Sequence, residues 1–251
     1  MIKIKSEKEI ELLRAAGAIT AGALDEISKH IKPGISTLEL DKLIKKYIID
    51  KGAIPSFLNY DGFPASICAS VNNVVVHGIP SESVVLKEGD IVSIDVGVIY
   101  NGYNGDAART FAVGEISSQK QKLIKVTEEC FFEGIKKLAV GAKLGELSYA
   151  IQEHAEKNGF SVVRELVGHG IGKKMHEEPE VPNYGLPTQG VRIKEGMCLA
   201  VEPMINMGQR QVLIDTDGWG ILTRDGKPSA HYENTVIVTA NGVEITTLGE
   251  E

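Results

Sequence analysis

The chain has 251 residues, 43% hydrophobic and 24% charged, a size that suits one globular domain burying roughly 70–75% of its unfolded surface. A net charge of −7 without a basic cluster argues against nucleic acid or an anionic membrane as the main partner. No apolar run reaches membrane-spanning length, MIKIKSEKEI is no signal peptide, and Cys68, Cys130 and Cys198 read as free thiols of a cytoplasmic protein, not as a zinc site.

Ser6-x-x-Glu9 is a capping box, followed at helical spacing by Ile10, Leu13, Gly17, Thr20, Leu24, Ile27 and Ile31. Pro33-Gly34 ends that helix. Ser36-x-x-Glu39 caps a second, with Leu40, Leu43, Ile44 and Tyr47 inward and Gly52 past its end. Strand-like segments follow over Ser66–Val76. Ser118-x-x-Gln121 then opens a third helix to about Ala139, Leu144–Asn158 forms a fourth, and strands resume near Val162, Cys198 and Val236.

Ile91–Thr110 reads as a hairpin. In its first strand Val92, Ile94, Val96 and Val98 alternate with Ser93, Asp95 and Gly97. Asn101-Gly102 is a strong two-residue turn signal, since both residues tolerate positive φ. A turn there pairs Tyr100 with Tyr103 and Gly97 with Asp106. Asp95 and Asp106 then share a face, diagonal at roughly 7–8 Å. Two carboxylates among valines and isoleucines are unfavourable unless a cation lies between them. The plainer alternative is that both cap turns or face solvent.

The pattern also repeats. Gly34, Glu39, Leu40, Gly52 and Lys87-Glu88-Gly89 recur as Gly141, Glu146, Leu147, Gly159 and Lys194-Glu195-Gly196, each pair separated by 107 positions. The same offset carries Asp95 onto Glu202. A constant register suggests two copies of a helix–helix–strand unit, roughly 7–113 and 118–240, within a single domain over residues 1–251. The expected architecture is a curved antiparallel sheet backed by two helix pairs, with acidic residues of both halves on the open face. The second half carries a longer excursion through Gln209–Lys227, with the only tryptophan, Trp219.

Three more residues can join the aspartates. Glu202 follows the apolar run Met197–Val201, and Glu233 sits in HYENTVIVT, where alone it reads equally as a solvated strand edge. His169, in GHGIG, is flanked by glycines that permit close backbone approach, although a lone histidine is more often a packing residue. The GHGIG spacing fits neither dinucleotide nor P-loop patterns, and His-Glu-x-x-His is absent. Two Asp, two Glu and one His at strand ends of a repeated sheet together point to a metal site.

These residues resemble type I methionine aminopeptidase, in its short bacterial form. The resemblance rests on DVG…NGD at Asp95 and Asp106, GHGIG with MHEEP, AVEPM at Glu202 and HYENTV at Glu233, and it runs along essentially the whole chain. It implies an α/β (α+β) pita-bread fold and removal of an N-terminal methionine when the second residue is small. It implies that Asp95, Asp106, His169, Glu202 and Glu233 hold two divalent cations (Co, Mn, Fe, Zn or Ni), Asp106 and Glu233 bridging, with Glu202 also taking a proton from water. His77 and His176 match histidines that contact the scissile amide. The methionine pocket would comprise Phe57, Tyr60, Phe63, Cys68, His77, Met175 and Trp219. Several members have Cys at 57, Tyr at 63 and an aromatic at 175, so the pocket's exact shape is left open. The implied partners are nascent polypeptide N-termini at the ribosome, and the implied form is a cytoplasmic monomer.

Two other readings remain. Prolidase and aminopeptidase P share the fold and ligands, but usually carry an N-terminal domain for which a first helix at residue 7 leaves no room. Other relatives have lost their ligands and act as binding modules, which five intact positions argue against.

Overall fold

The computed structural model describes residues 1–249. Two capped helices open the chain, α1 (Glu7–Ser28) and α2 (Thr37–Asp50). The Glu9 carboxylate accepts from the Ser6 N–H and hydroxyl at 3.0 and 2.9 Å, and Glu39 repeats the arrangement on Ser36 at 2.9 and 2.7 Å. Next come β1 (Ile54–Pro55), a 3-10 turn (Tyr60–Gly62), β2 (Ile67–Val71), β3 (Val74–Val76), β4 (Ile91–Tyr100) and β5 (Tyr103–Ala112). The second half begins with α3 (Ser118–Ile135) and α4 (Leu144–Lys157), then β6 (Ser161–Val162), β7 (Gly168–Gly170), β8 (Glu177–Val181) and β9 (Cys198–Val201). β10 (Met204–Asn206), β11 (Val212–Ile214), β12 (Ile221–Thr223), β13 (Ser229–His231), β14 (Glu233–Thr239) and β15 (Gly242–Ile245) complete it.

The main sheet runs β1-β4-β5-β14-β9-β7-β8, with β2 also on β4 and β15 also on β14, and every pairing is antiparallel. Alternation decides what each face does. Val92, Ile94, Val96 and Val98 of β4 pack with Leu24 and Ile27 of α1 and Leu40, Ile44 and Ile48 of α2. Leu199, Val201, Val236 and Val238 pack with Leu123 and Phe131 of α3 and Leu147 and Ile151 of α4. Four helices thus cover one face of a mixed α/β fold and leave the other open. α1 lies close on β5 because a Cβ on Gly105 would come within 2.8 Å of the Ala16 and Gly17 backbone.

The hairpin is as read: Tyr100 pairs with Tyr103 and Gly97 with Asp106, across a turn in which Asn101 and Gly102 have φ of 48° and 81°. Three boundaries differ. α1 stops at Ser28, short of Ile31 and of the Pro33-Gly34 stop, where the chain tightens and the His30 N–H donates to the Ile27 carbonyl at 2.9 Å. Ser117, not Ser118, caps α3, its hydroxyl accepting from Lys120 N–H at 3.3 Å. α3 also stops at Ile135 instead of about Ala139, because the chain tightens, Lys137 and Leu138 donating to the Gly134 and Ile135 carbonyls, and buries Leu138. The offset of 107 also relates α2 to α4, and the isolated bridge Ser36–Val85 to Lys143–Arg192. The Gln209–Lys227 excursion forms β11 and β12, and β12 pairs with β3 from the first half. Among the described residues no helix is long and apolar enough to cross a membrane.

Candidate metal centre

Register brings the acidic residues together. Cys68 of β2 faces Asp95 of β4, Asp95 faces Ala108 of β5, and Ala108 faces Glu233 of β14. Paired residues share a face, so this row lies on the open side, and Asp106 joins it two residues from Ala108. The next row holds His169 of β7, Ala200 of β9 and Thr235 of β14, with Glu202 two residues beyond Ala200. Ala108 and Ala200 are the spacers. Their small side chains leave room in which the longer donors converge. Thr235 locks the rows, its hydroxyl accepting from the Asp106 N–H at 3.0 Å and donating to the Asp106 carbonyl at 2.9 Å.

His169 is held by its flanking glycines. A Cβ on Gly168 would lie 2.4 Å from the Ala200 carbonyl oxygen, and one on Gly170 would lie 2.2 Å from that of Glu178. Only glycine lets β7 fit between β9 and β8. The His169 Nδ1 lies 2.9 Å from the Gly170 carbonyl oxygen, which turns Nε2 toward the acids, 3.8 Å from Asp106 and 3.7 Å from Glu202.

The electrostatics of this cluster call for a cation. Burial pushes the carboxyl groups of Asp95, Asp106, Glu202 and Glu233 above their usual range, and repulsion from neighbouring acids adds to the last three. Burial also lowers the imidazoles, His169 to about 4, so the histidines bring no compensating charge at neutral pH. Among the described residues the ion-pair partners of these acids are histidines only. Arg109 is nearby but spends its guanidinium on the Glu233 carbonyl (2.5 Å) and the Asn234 side chain (2.7 Å). Asp95 Oδ1, Asp106 Oδ1 and Glu233 Oε1 are buried without hydrogen-bond partners. Buried, unpaired carboxylates converging with an imidazole are the donor set of a hard or borderline divalent cation, and these residues fit one. Donor atoms of Asp106, His169 and Glu233 lie within 4.8 Å of one another, as do those of Asp95, His231 and Glu233.

Above the acids is a cavity of about 230 Å³, lined by Asp95, Asp106, His169, Glu202 and Glu233 together with Phe57, Tyr60, Asp61, Phe63, Cys68, His77, His176 and Trp219. That is less than the ~300–1,000 Å³ of drug-sized sites, so it suits one side chain and the bond beside it. Trp219 meets Phe63 edge-on at 5.2 Å, carried there by the β11–β12 excursion. His77 follows β3 in the left-handed region (φ 60°), a conformation uncommon outside glycine. The Tyr60 hydroxyl lies 2.7 Å from His176 Nδ1, and the His176 ring packs against His169 at 4.3 Å between centroids.

Every residue expected at the site lines this cavity except Met175. It packs beside Phe57 over Gly97, in a cluster with Leu13, Tyr103, Ile171, Cys198 and Ile237. Two residues were not foreseen. Asp61, exposed at the cavity mouth in a left-handed conformation, carries no sequence signal beyond its place in NYDG. His231 could have been found by the two-residue spacing that relates it to Glu233. The residue is 1% exposed, burial lowers its imidazole to about 3, and neither ring nitrogen has a hydrogen-bond partner.

Comparison with known proteins agrees along the whole chain. Residues 11–240 match the sequence profile of metallopeptidase family M24. The chain is 54% identical over 250 residues to a methionine aminopeptidase of Clostridium acetobutylicum, covering 100% of both chains. It superposes on the crystal structure of methionine aminopeptidase from Rickettsia prowazekii with a TM-score of 0.97 at 48% identity, covering 99% of this chain and 100% of that one. The prolidase of Pyrococcus furiosus, 24% identical, shares the fold at a TM-score of 0.81 over 99% of this chain and 66% of its own.

Proposed function

This chain belongs to metallopeptidase family M24 and is a metalloaminopeptidase, and from that premise we propose that it removes the first residue of chains beginning with methionine followed by a small residue. The observation that carries this reading is the division of the cavity into an acid–imidazole floor and an aromatic, sulfur-bearing wall of Phe57, Tyr60, Phe63, Cys68 and Trp219. Such a wall suits an unbranched thioether in shape and polarisability.

In this reading Asp95, Asp106, His169, Glu202 and Glu233 are the residues that would hold two divalent cations from the Mn, Fe, Co, Ni and Zn group. When bound, these supply Lewis-acid polarisation of the scissile carbonyl and water activation near neutral pH. Glu202, half-buried just past β9, takes the proton of the attacking water and returns it to the leaving amine. With Nδ1 accepting from the Tyr60 hydroxyl 2.7 Å away, His176 would carry its proton on Nε2, to be offered to the carbonyl oxygen as it gains charge. His77 holds the amide from the facing side. The substrates are nascent N-termini met at the ribosome, and the enzyme acts as a cytoplasmic monomer.

The test is competition among Met-Ala-Ser, Leu-Ala-Ser, Met-Lys-Ser and Ala-Pro peptides in one reaction, on metal-stripped protein given back each cation in turn, read by mass spectrometry. Met-Ala-Ser is cleaved, Met-Lys-Ser is not, and Leu-Ala-Ser is slower by about 10–200-fold, the range one apolar pocket commands. Faster cleavage of Ala-Pro peptides than of Met-Ala-Ser would replace this reading with a prolidase-like one.

A further inference from the structure

Five donors leave one imidazole idle. His231 closes β13 two residues before Glu233, and its ring is fully enclosed with both nitrogens unpartnered. Its Nε2 faces the acids, 3.7 Å from Glu233 Oε2 and 3.9 Å from Glu202 Oε2. Those separations are too long for hydrogen bonds, so the ring is not holding either carboxylate directly. A buried polar group without a partner points to one the protein atoms do not supply.

The two donor triplets have the same composition. Asp106, His169 and Glu233 offer two carboxylates and an imidazole, and Asp95, His231 and Glu233 offer the same, each with atoms within 4.8 Å of one another. Glu233 belongs to both. We propose that His231 is a sixth donor, supplying the imidazole of a second cation position built with Asp95 and the shared Glu233. Each position then pairs one nitrogen with carboxylate oxygens, a set that favours borderline first-row cations such as Zn or Co over Mg or Ca. This inference rests on the reading of the site as a cation centre.

Calorimetric titration of the metal-stripped protein with zinc, and with cobalt followed by visible absorption, tests it. His231→Gln keeps an amide N–H of similar reach but lacks the imidazole lone pair. In the wild type two equivalents bind. In His231→Gln the first should bind unchanged, while the second weakens at least about tenfold and loses its cobalt absorption change. Two unchanged equivalents with the wild-type cobalt spectrum would overturn the proposal. A wild type that binds no cation would overturn the cation reading itself, a separate outcome. Should His231→Gln fold poorly, the cobalt-loaded wild type still decides: two paramagnetically shifted imidazole N–H resonances are expected, and a single one refutes His231 as a donor.

Discussion

Gly170→Ala tests the claim that strand register, not local chemistry, sets the site. The added Cβ would sit 2.2 Å from the Glu178 carbonyl oxygen and 2.7 Å from its carbon. Both atoms are backbone of the paired strand and cannot swing aside. Reaching even 3.0 Å, the shortest separation real Cβ atoms adopt, requires β7 to move about 0.8 Å. That motion carries the adjacent His169, whose Nε2 stands 3.7–3.8 Å from Glu202 and Asp106. A displacement near 1 Å in a preorganised site lowers rate by ~10²-fold, about 2.7 kcal/mol of transition-state stabilisation. The assay is kcat/KM on Met-Ala-Ser, with metal content and melting temperature on the same sample. Gly172→Ala is the control: the atoms nearest its Cβ would be the far ends of Lys5 and Glu177, at 2.7 and 2.8 Å. Lys5 and Glu177 form a buried ion pair at 2.6 Å, so the control should lower the melting temperature while kcat/KM stays within about threefold. If Gly170→Ala keeps wild-type kcat/KM and metal content, the reasoning is refuted.

Other expectations follow from the same geometry. Asp106→Asn keeps the side-chain shape but removes a charge from the cluster, so metal content and turnover should collapse while circular dichroism is retained; near-normal turnover with full metal content contradicts the assignment. His77→Asn tolerates the left-handed backbone at φ 60° and should lower kcat by roughly 10²-fold or more with KM and metal content little changed; loss of a cation would mean that His77 is a ligand. Glu9 is held down to about 2 by the Ser6 N–H, the Tyr103 hydroxyl and the Ser6 hydroxyl. Because the folded value is depressed, its contribution is whole above about 4.5 and disappears as pH falls toward 2. The gap in urea midpoint between metal-free wild type and Tyr103→Phe should therefore close across that window, and a gap that persists at its acid end argues against the Glu9–Tyr103 bond as its source.

How much of this was legible in the sequence depended on the range of the interaction concerned. The β4–β5 hairpin was readable to the residue, because Asn101-Gly102 fixes the turn and period-two alternation fixes the face. The capping boxes at Ser6 and Ser36 placed two helix starts for the same local reason. The end of α3 is not legible locally, because Leu138 fits helical spacing and only the core it turns into draws it out of the helix. Nothing local marks Ala108 or Ala200 as spacers, since each matters only for the strands on either side of it. Trp219 reaches the cavity through a pairing of β12 with β3, which a pass along the chain could not anticipate. The pocket expected for methionine divides in the same way: Phe57, Tyr60 and Phe63, close in sequence, line the cavity, whereas Met175 falls in the cluster of Leu13 and Ile237, a fact of packing.

The place of β14 bears on how the chain assembles. It pairs with β5 on one side and β9 on the other, and in the main sheet it is the strand that joins the first half to the second. It also comes after both neighbours in chain order. Until it inserts, β5 and β9 each present an unpaired edge, open to wrong partners. Glu233, common to both donor triplets, arrives with that strand. A cation centre that draws on Glu233 would be complete only once the sheet has closed, and added metal should then accelerate the last step of refolding only in protein whose β14 is intact.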